Sequence, residues 1–94
     1  MMAAQIQQHL AVLPGWALQR GAIEKQFDFA NYTQTLAFVN GVAGIAEDQD
    51  HHPEINFTYN RCTLRLDTHS VGGISLNDII CAARVEALLP VSLA

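Results

Sequence analysis

Apolar side chains at Ile6, Leu10 and Leu13 recur at helical spacing over residues 3–13, and Pro14-Gly15 stops the pattern. The period then falls to two. Residues 16–20 and 22–29 predict two strands joined around Gly21. In the second, Ile23, Lys25, Phe27 and Phe29 share one face while Glu24, Gln26 and Asp28 share the other. Lys25 alone breaks the apolar face.

Asn31, followed three residues later by Gln34, resembles a capping box and predicts a helix start. Leu36, Val39, Ala43 and Ala46 continue one face of that helix, and Phe38, Val42 and Ile45 widen it. Gly41 and Gly44 lie inside it, each costing about 1 kcal/mol relative to alanine. Such glycines are expected where the sheet or a neighbouring subunit approaches closely. The helix must end before Pro53, which pushes the preceding residue out of the helical region.

Residues 55–59 and 62–66 alternate again, with Ile55, Phe57 and Tyr59 on one face and Cys62, Leu64 and Leu66 on one face. Asn60-Arg61 is read as their short connection and Gly72-Gly73 as a loop. Ser75 to Asp78 starts a closing helix carrying Ile79, Ile80, Ala83, Val85, Leu88 and Leu89, before Pro90. The order is helix, two strands, helix, two strands, helix. It predicts an α+β fold, a four-stranded antiparallel sheet with helices packed on one face.

A length of 94 residues fits a single domain over 1–94, and so small a core makes self-association a natural source of stability. Half the residues are apolar and 15% are charged, which describes a globular chain. The net charge is −4 with only five basic residues, which argues against a phosphate-backbone binder, so nucleic acid is not an expected direct partner. The apolar stretch 36–46 is broken by Asn40 and too short to span a bilayer, and residues 1–13 lack a signal-peptide pattern. Cys62 and Cys81 have no metal-ligand spacing and read as buried thiols of a reducing compartment. A cytoplasmic protein without a membrane anchor is the expectation.

The candidate chemistry is concentrated. Glu47-Asp48-Gln49-Asp50-His51-His52-Pro53 crowds acids and imidazoles at a helix end, and Thr68-His69 follows the last strand, so three of the four histidines belong to one arrangement. A helix C-terminus favours basic residues, yet this one ends in acids, a departure of the kind found at functional sites. Imidazole beside carboxylates suits acid–base work near neutral pH. The alternatives are an exposed cluster of ion pairs or a zinc or iron site. Adjacent His51 and His52 point in different directions on an ordinary backbone, so a metal is not expected. His9 is expected to face solvent, and neither cysteine has the context of an activated nucleophile. Trp16, Phe57 and Tyr59 could stack on a flat heterocycle, although such aromatics more often fill a core.

Glu47-x-x-x-His51-His52-Pro53, Tyr59, His69 and Asp78, at these spacings, resemble the signature of the pterin-4a-carbinolamine dehydratases. Leu13-Pro14-Gly15-Trp16, Phe27-x-Phe29, Glu54 after Pro53, Thr68-His69 and Gly73-Ile74-Ser75 extend the resemblance over nearly the whole chain. It implies dehydration of 4a-hydroxytetrahydropterin to quinonoid dihydropterin, recycling the tetrahydrobiopterin used by aromatic amino acid hydroxylases. No metal or organic cofactor is implied. His51 and His69 resemble the acid–base pair, and His52 a substrate-positioning residue. Glu47, Asp50, Pro53, Tyr59 and Asp78 resemble the supporting set. The resemblance also implies a homodimer or homotetramer, with an aromatic amino acid hydroxylase as a candidate partner. Some family members act as assembly or dimerisation modules, which is the alternative role.

Overall fold

The computed structural model describes residues 1–91. Its elements are α1 (Ala3–Leu10), β1 (Ala17–Gln19), β2 (Ala22–Asp28), α2 (Tyr32–Gln49), β3 (Glu54–Phe57), β4 (Arg61–Leu66) and α3 (Leu76–Glu86). This is the α-β-β-α-β-β-α order expected from the alternation of periods, and the architecture is α+β. A short 3-10 turn, His69–Val71, lies between β4 and α3, immediately before the loop expected at Gly72-Gly73.

The antiparallel sheet runs β1-β2-β4-β3. Ile23 pairs with Leu66, Lys25 with Leu64 and Phe27 with Cys62, so the apolar alternation of β2 and β4 coincides on one face. That face meets Ile6 and Leu10 of α1, Phe38, Val42 and Ile45 of α2, and Ile79, Ala82 and Val85 of α3 in one core. Phe38, 1% exposed, sits against Phe27 and Phe29 at ring-centroid distances of 4.6 and 5.0 Å. Aromatic pairs of this kind add to the area they bury.

Lys25, the one misfit in the pattern, is neutralised rather than exposed. Its Nζ reaches Glu86 Oε1 at 2.5 Å and the Pro14 carbonyl at 2.8 Å, and Trp16 Nε1 donates to the same Glu86 oxygen at 2.8 Å. The buried-facing cation is thereby paired and hydrogen-bonded, as burial of charge requires.

Asn31 caps α2, its Oδ1 accepting from Gln34 N–H at 2.9 Å, while Gln34 Oε1 reaches back one residue further, to Ala30 N–H at 3.0 Å. The expected close approach at the α2 glycines divides. A Cβ on Gly41 would meet Leu88 at 3.0 Å, whereas Gly44 faces open space within this chain. The close neighbour is thus a side chain after α3, not the sheet. His9, expected in solvent, is half-buried.

β3 begins one residue earlier than its pattern suggests and ends at Phe57. Thr58 N–H donates to Arg61 O at 2.8 Å, closing the turn early, so Tyr59 leaves the strand. Among the described residues no helix is long and apolar enough to cross a membrane.

Cys62 and Cys81 are 0% and 2% exposed, respectively. Burial pushes the Cys62 thiol up to about 11. Burial also raises Cys81, with Asp78 adding to the rise and Arg84 opposing it. Thiolate is the reactive form, so neither cysteine should react with iodoacetamide at about pH 8 while the protein is folded. Both should react once it is denatured, as mass spectrometry can follow. The fold favours the protonated Cys62 thiol. This contribution to stability is complete below the unfolded value of about 8.5 and disappears as pH rises through about 11.

Candidate active site

The site is built where α2 stops. Asp50 adopts a left-handed backbone, φ 48°. Asp50 N–H donates to Glu47 O at 3.3 Å and His51 N–H to Ala46 O at 3.0 Å, the paired bonds of a Schellman ending. Aspartate tolerates this conformation better than most residues because its side chain is short and polar. The reversal carries residues 51–53 off the helix axis, and Pro53 prevents the helix from resuming.

His51 then turns inward. Its side chain is 13% exposed, and Nε2 lies 2.5 Å from Oδ1 of Asp78, which is 0% exposed. Asp78 occupies the first turn of α3, where the helix favours an acid. Its other oxygen, Oδ2, accepts from Thr68 Oγ1 at 2.7 Å and from Ser75 N–H at 2.9 Å. Thr68 and Ser75 hydroxyls are also 2.6 Å apart. A buried carboxylate is sustainable only with such a set of donors. Because a carboxylate solely accepts, the His51 proton belongs on Nε2, which leaves Nδ1 free for another partner. Beneath the ring and Pro53 is a small apolar void of about 10 Å³ lined by Val42, Ile45, Leu66 and Cys81.

His52 points elsewhere. Its Nε2 is 2.8 Å from Glu47 Oε1, with side chains 58% and 80% exposed, so the pair contributes little to stability. The divergence expected of adjacent histidines is therefore observed. His69 opens the 3-10 turn, exposed, one residue after Thr68. Its backbone carbonyl accepts from Gly72 N–H at 3.1 Å.

The acids at the end of α2 divide their tasks. Asp48 accepts from Arg84 Nη1 at 2.6 Å and ties α2 to α3, a compensation invisible in the local sequence. Glu47 holds His52. Asp50 supplies the backbone reversal, and its side chain forms no ion pair among the described residues.

Tyr59 does not join the histidines within this chain. Its carbonyl accepts from Thr35 Oγ1 at 2.9 Å and its ring stacks on Tyr32 at 6.1 Å, both at the N-terminal end of α2. His51 follows the other end of that 18-residue helix, which is about 27 Å long at about 1.5 Å per residue. Two hydroxyl residues outside the candidate site set, Thr68 and Ser75, complete the Asp78 network. Both were visible, Thr68 as the residue before His69 and Ser75 as a helix cap, but their convergence depends on how the 68–75 loop folds back. The larger groove, about 640 Å³, lies on the outer sheet face among Arg20, Glu24, Glu54, Arg61 and Arg65, apart from the histidines.

Residues 1–88 match the family model described as pterin 4 alpha carbinolamine dehydratase. This chain belongs to that family. A Bdellovibrio bacteriovorus protein assigned provisionally as a pterin-4-alpha-carbinolamine dehydratase is 56% identical over 88 residues, covering 89% of this chain and 73% of the relative. A Paracidovorax citrulli protein with the same provisional assignment is 53% identical over 92 residues, covering 94% and 79%. Among solved structures, a transcriptional coactivator/pterin dehydratase from Brucella melitensis superposes with TM-score 0.90 at 32% identity, over 94% of this chain and 96% of that one. A pterin dehydratase-like protein described as a RuBisCO assembly factor in the alpha-carboxysome gives TM-score 0.67 at 31% identity, over 82% and 89%. Dehydratase family members thus share this fold with proteins named for assembly and coactivation.

Proposed function

We propose that this protein is a 4a-hydroxytetrahydrobiopterin dehydratase, a hydro-lyase acting by histidine acid–base catalysis. The observation that carries this reading is the His51–Asp78 pair, a largely buried imidazole whose Nε2 is committed to a buried carboxylate 2.5 Å away. In the reaction the C4a–O bond breaks and the hydroxyl leaves as water after gaining a proton. The neighbouring ring nitrogen loses its proton, and its electron pair forms the new C=N bond. One acid and one base suffice.

His51, with Asp78 ready to balance a positive imidazole, suits the base, taking the ring-nitrogen proton at Nδ1. His69, exposed on its turn, suits the acid for the departing hydroxyl. His52, with Glu47 behind it, suits contact with the polar edge of the pterin, and Pro53 braces the His51 loop. The product would re-enter the tetrahydrobiopterin cycle of an aromatic amino acid hydroxylase in the cytoplasm. A homo-oligomer is proposed on the family resemblance.

The test is hydroxylase turnover with purified protein, following the ultraviolet absorbance of the 4a-carbinolamine. Its decay should accelerate in proportion to added protein, and decay at the spontaneous rate would overturn the assignment. The names of two solved relatives favour one second reading, a partner-binding module. Such a module would be recovered in a stable complex and leave the decay unchanged. It would have no need of His51 and Asp78 as a pair.

A further inference from the structure

We infer that Thr68 is the positioning residue that couples the two candidate proton-transfer histidines. The dehydratase reading supplies only the kinetic arm of this inference. Thr68 Oγ1 donates to Asp78 Oδ2 at 2.7 Å, while Asp78 Oδ1 faces His51 Nε2. The same residue organises the turn bearing His69. Its N–H donates to Gly73 O at 2.7 Å, and its carbonyl accepts from Val71 N–H at 3.1 Å and Gly73 N–H at 3.4 Å. Thr68 and Gly73 form an isolated antiparallel bridge that closes this loop.

The proton assignment follows from which atoms can donate. Asp78 Oδ2 receives Ser75 N–H at 2.9 Å, and Ser75 Oγ is 3.5 Å from it but 2.6 Å from Thr68 Oγ1. The consistent chain therefore runs from Ser75 O–H to Thr68 Oγ1, and from Thr68 O–H to Asp78. That hydroxyl restrains rotation of the carboxylate, so Oδ1 stays aimed at His51 and the imidazole keeps its proton on Nε2. Ser75 N–H alone would hold Oδ2 on one side only. The consequence is a single His51 tautomer with Nδ1 presented outward, held in register with a turn that begins at the next residue, His69.

Thr68→Val keeps the β-branched shape, suited to the extended backbone at this position (φ −117°, ψ 103°), and deletes the hydroxyl. Thr68→Ser restores the hydroxyl without the methyl group. The readouts are the His51 tautomer, from long-range ¹⁵N–¹H NMR, and the split between kcat and KM. In the wild type, neutral His51 should show only the Nε2–H form. Thr68→Val should populate both tautomers and lower kcat about tenfold or more, the scale of a lost hydrogen bond to a charged group, with KM little changed. Thr68→Ser should recover most of both.

An Nδ1–H tautomer in the wild type overturns the inference even if Thr68→Val does not fold. Wild-type kcat with one tautomer in Thr68→Val overturns it, as does Thr68→Ser matching the valine variant. If the wild type performs no dehydration, the dehydratase reading fails, and the tautomer series still decides what Thr68 does.

Discussion

His51→Ala is expected to slow carbinolamine dehydration by about 10²- to 10⁴-fold, the usual range for removing a general acid or base. Its ring is the only one among the candidate histidines that is both largely buried and joined to a buried carboxylate. The substitution leaves Asp78 without one donor, so stability should fall by about 1–3 kcal/mol, within reach of urea denaturation. The accompanying fall in melting temperature should be several degrees, since about 1 kcal/mol corresponds to about 4–8 °C in a domain of this size. His52→Ala is the control. It removes an exposed pair, so any loss of activity should come with little change in stability. Wild-type turnover by a folded His51→Ala variant would remove His51 from the mechanism.

Asp78→Ala should cost more of the fold than any other change in the site. It strips the acceptor from His51 Nε2, Thr68 Oγ1 and Ser75 N–H, in a position that is 0% exposed. Orphaned buried donors cost about 1–3 kcal/mol each and a lost helix cap about 1 kcal/mol. The sum is a large fraction of the about 5–15 kcal/mol that holds a domain together. Asp78→Asn separates the two roles. Its carbonyl can still accept from Thr68 and Ser75, but an amide NH₂ then faces His51 and forces the ring to accept at Nε2. The proton moves to Nδ1, the nitrogen that should have been free. Stability should suffer less than in Asp78→Ala, while activity falls by no more than in His51→Ala, about 10²-fold or more, because the ring presents the wrong nitrogen. Equilibrium denaturation and single-turnover kinetics on both variants decide it. An Asp78→Asn enzyme within tenfold of wild type would refute the orienting role.

The core was largely readable because two strands alternate cleanly. Ile23 and Phe27 on β2 and Cys62, Leu64 and Leu66 on β4 are all buried on the face their period assigns. The caps at Asn31 and Ser75 were readable because capping is local chemistry. What escaped was non-local. Lys25 looked like a flaw until Glu86 arrived from 61 residues away. Asp48 looked uncompensated until Arg84 met it across the α2–α3 contact. Tyr59 kept the period of β3, but a backbone bond from Thr58 to Arg61 ended the strand before it. The crowding of acids and histidines at residues 47–52 was visible in the sequence. The carboxylate that each ring chose was not, since it depends on how the chain reverses at Asp50.

Asp78 serves two masters, as the acid in the first turn of α3 and as the anchor of His51, and this has a consequence for reading divergent relatives. A lineage that abandoned the chemistry would still be under pressure to keep this aspartate, because its helix start depends on it. The aspartate is therefore a poor diagnostic of catalysis. The imidazole it holds adds only one bond to the fold, which another donor could supply, so a relative that keeps the acid but has lost the histidine points to a fold retained for another purpose.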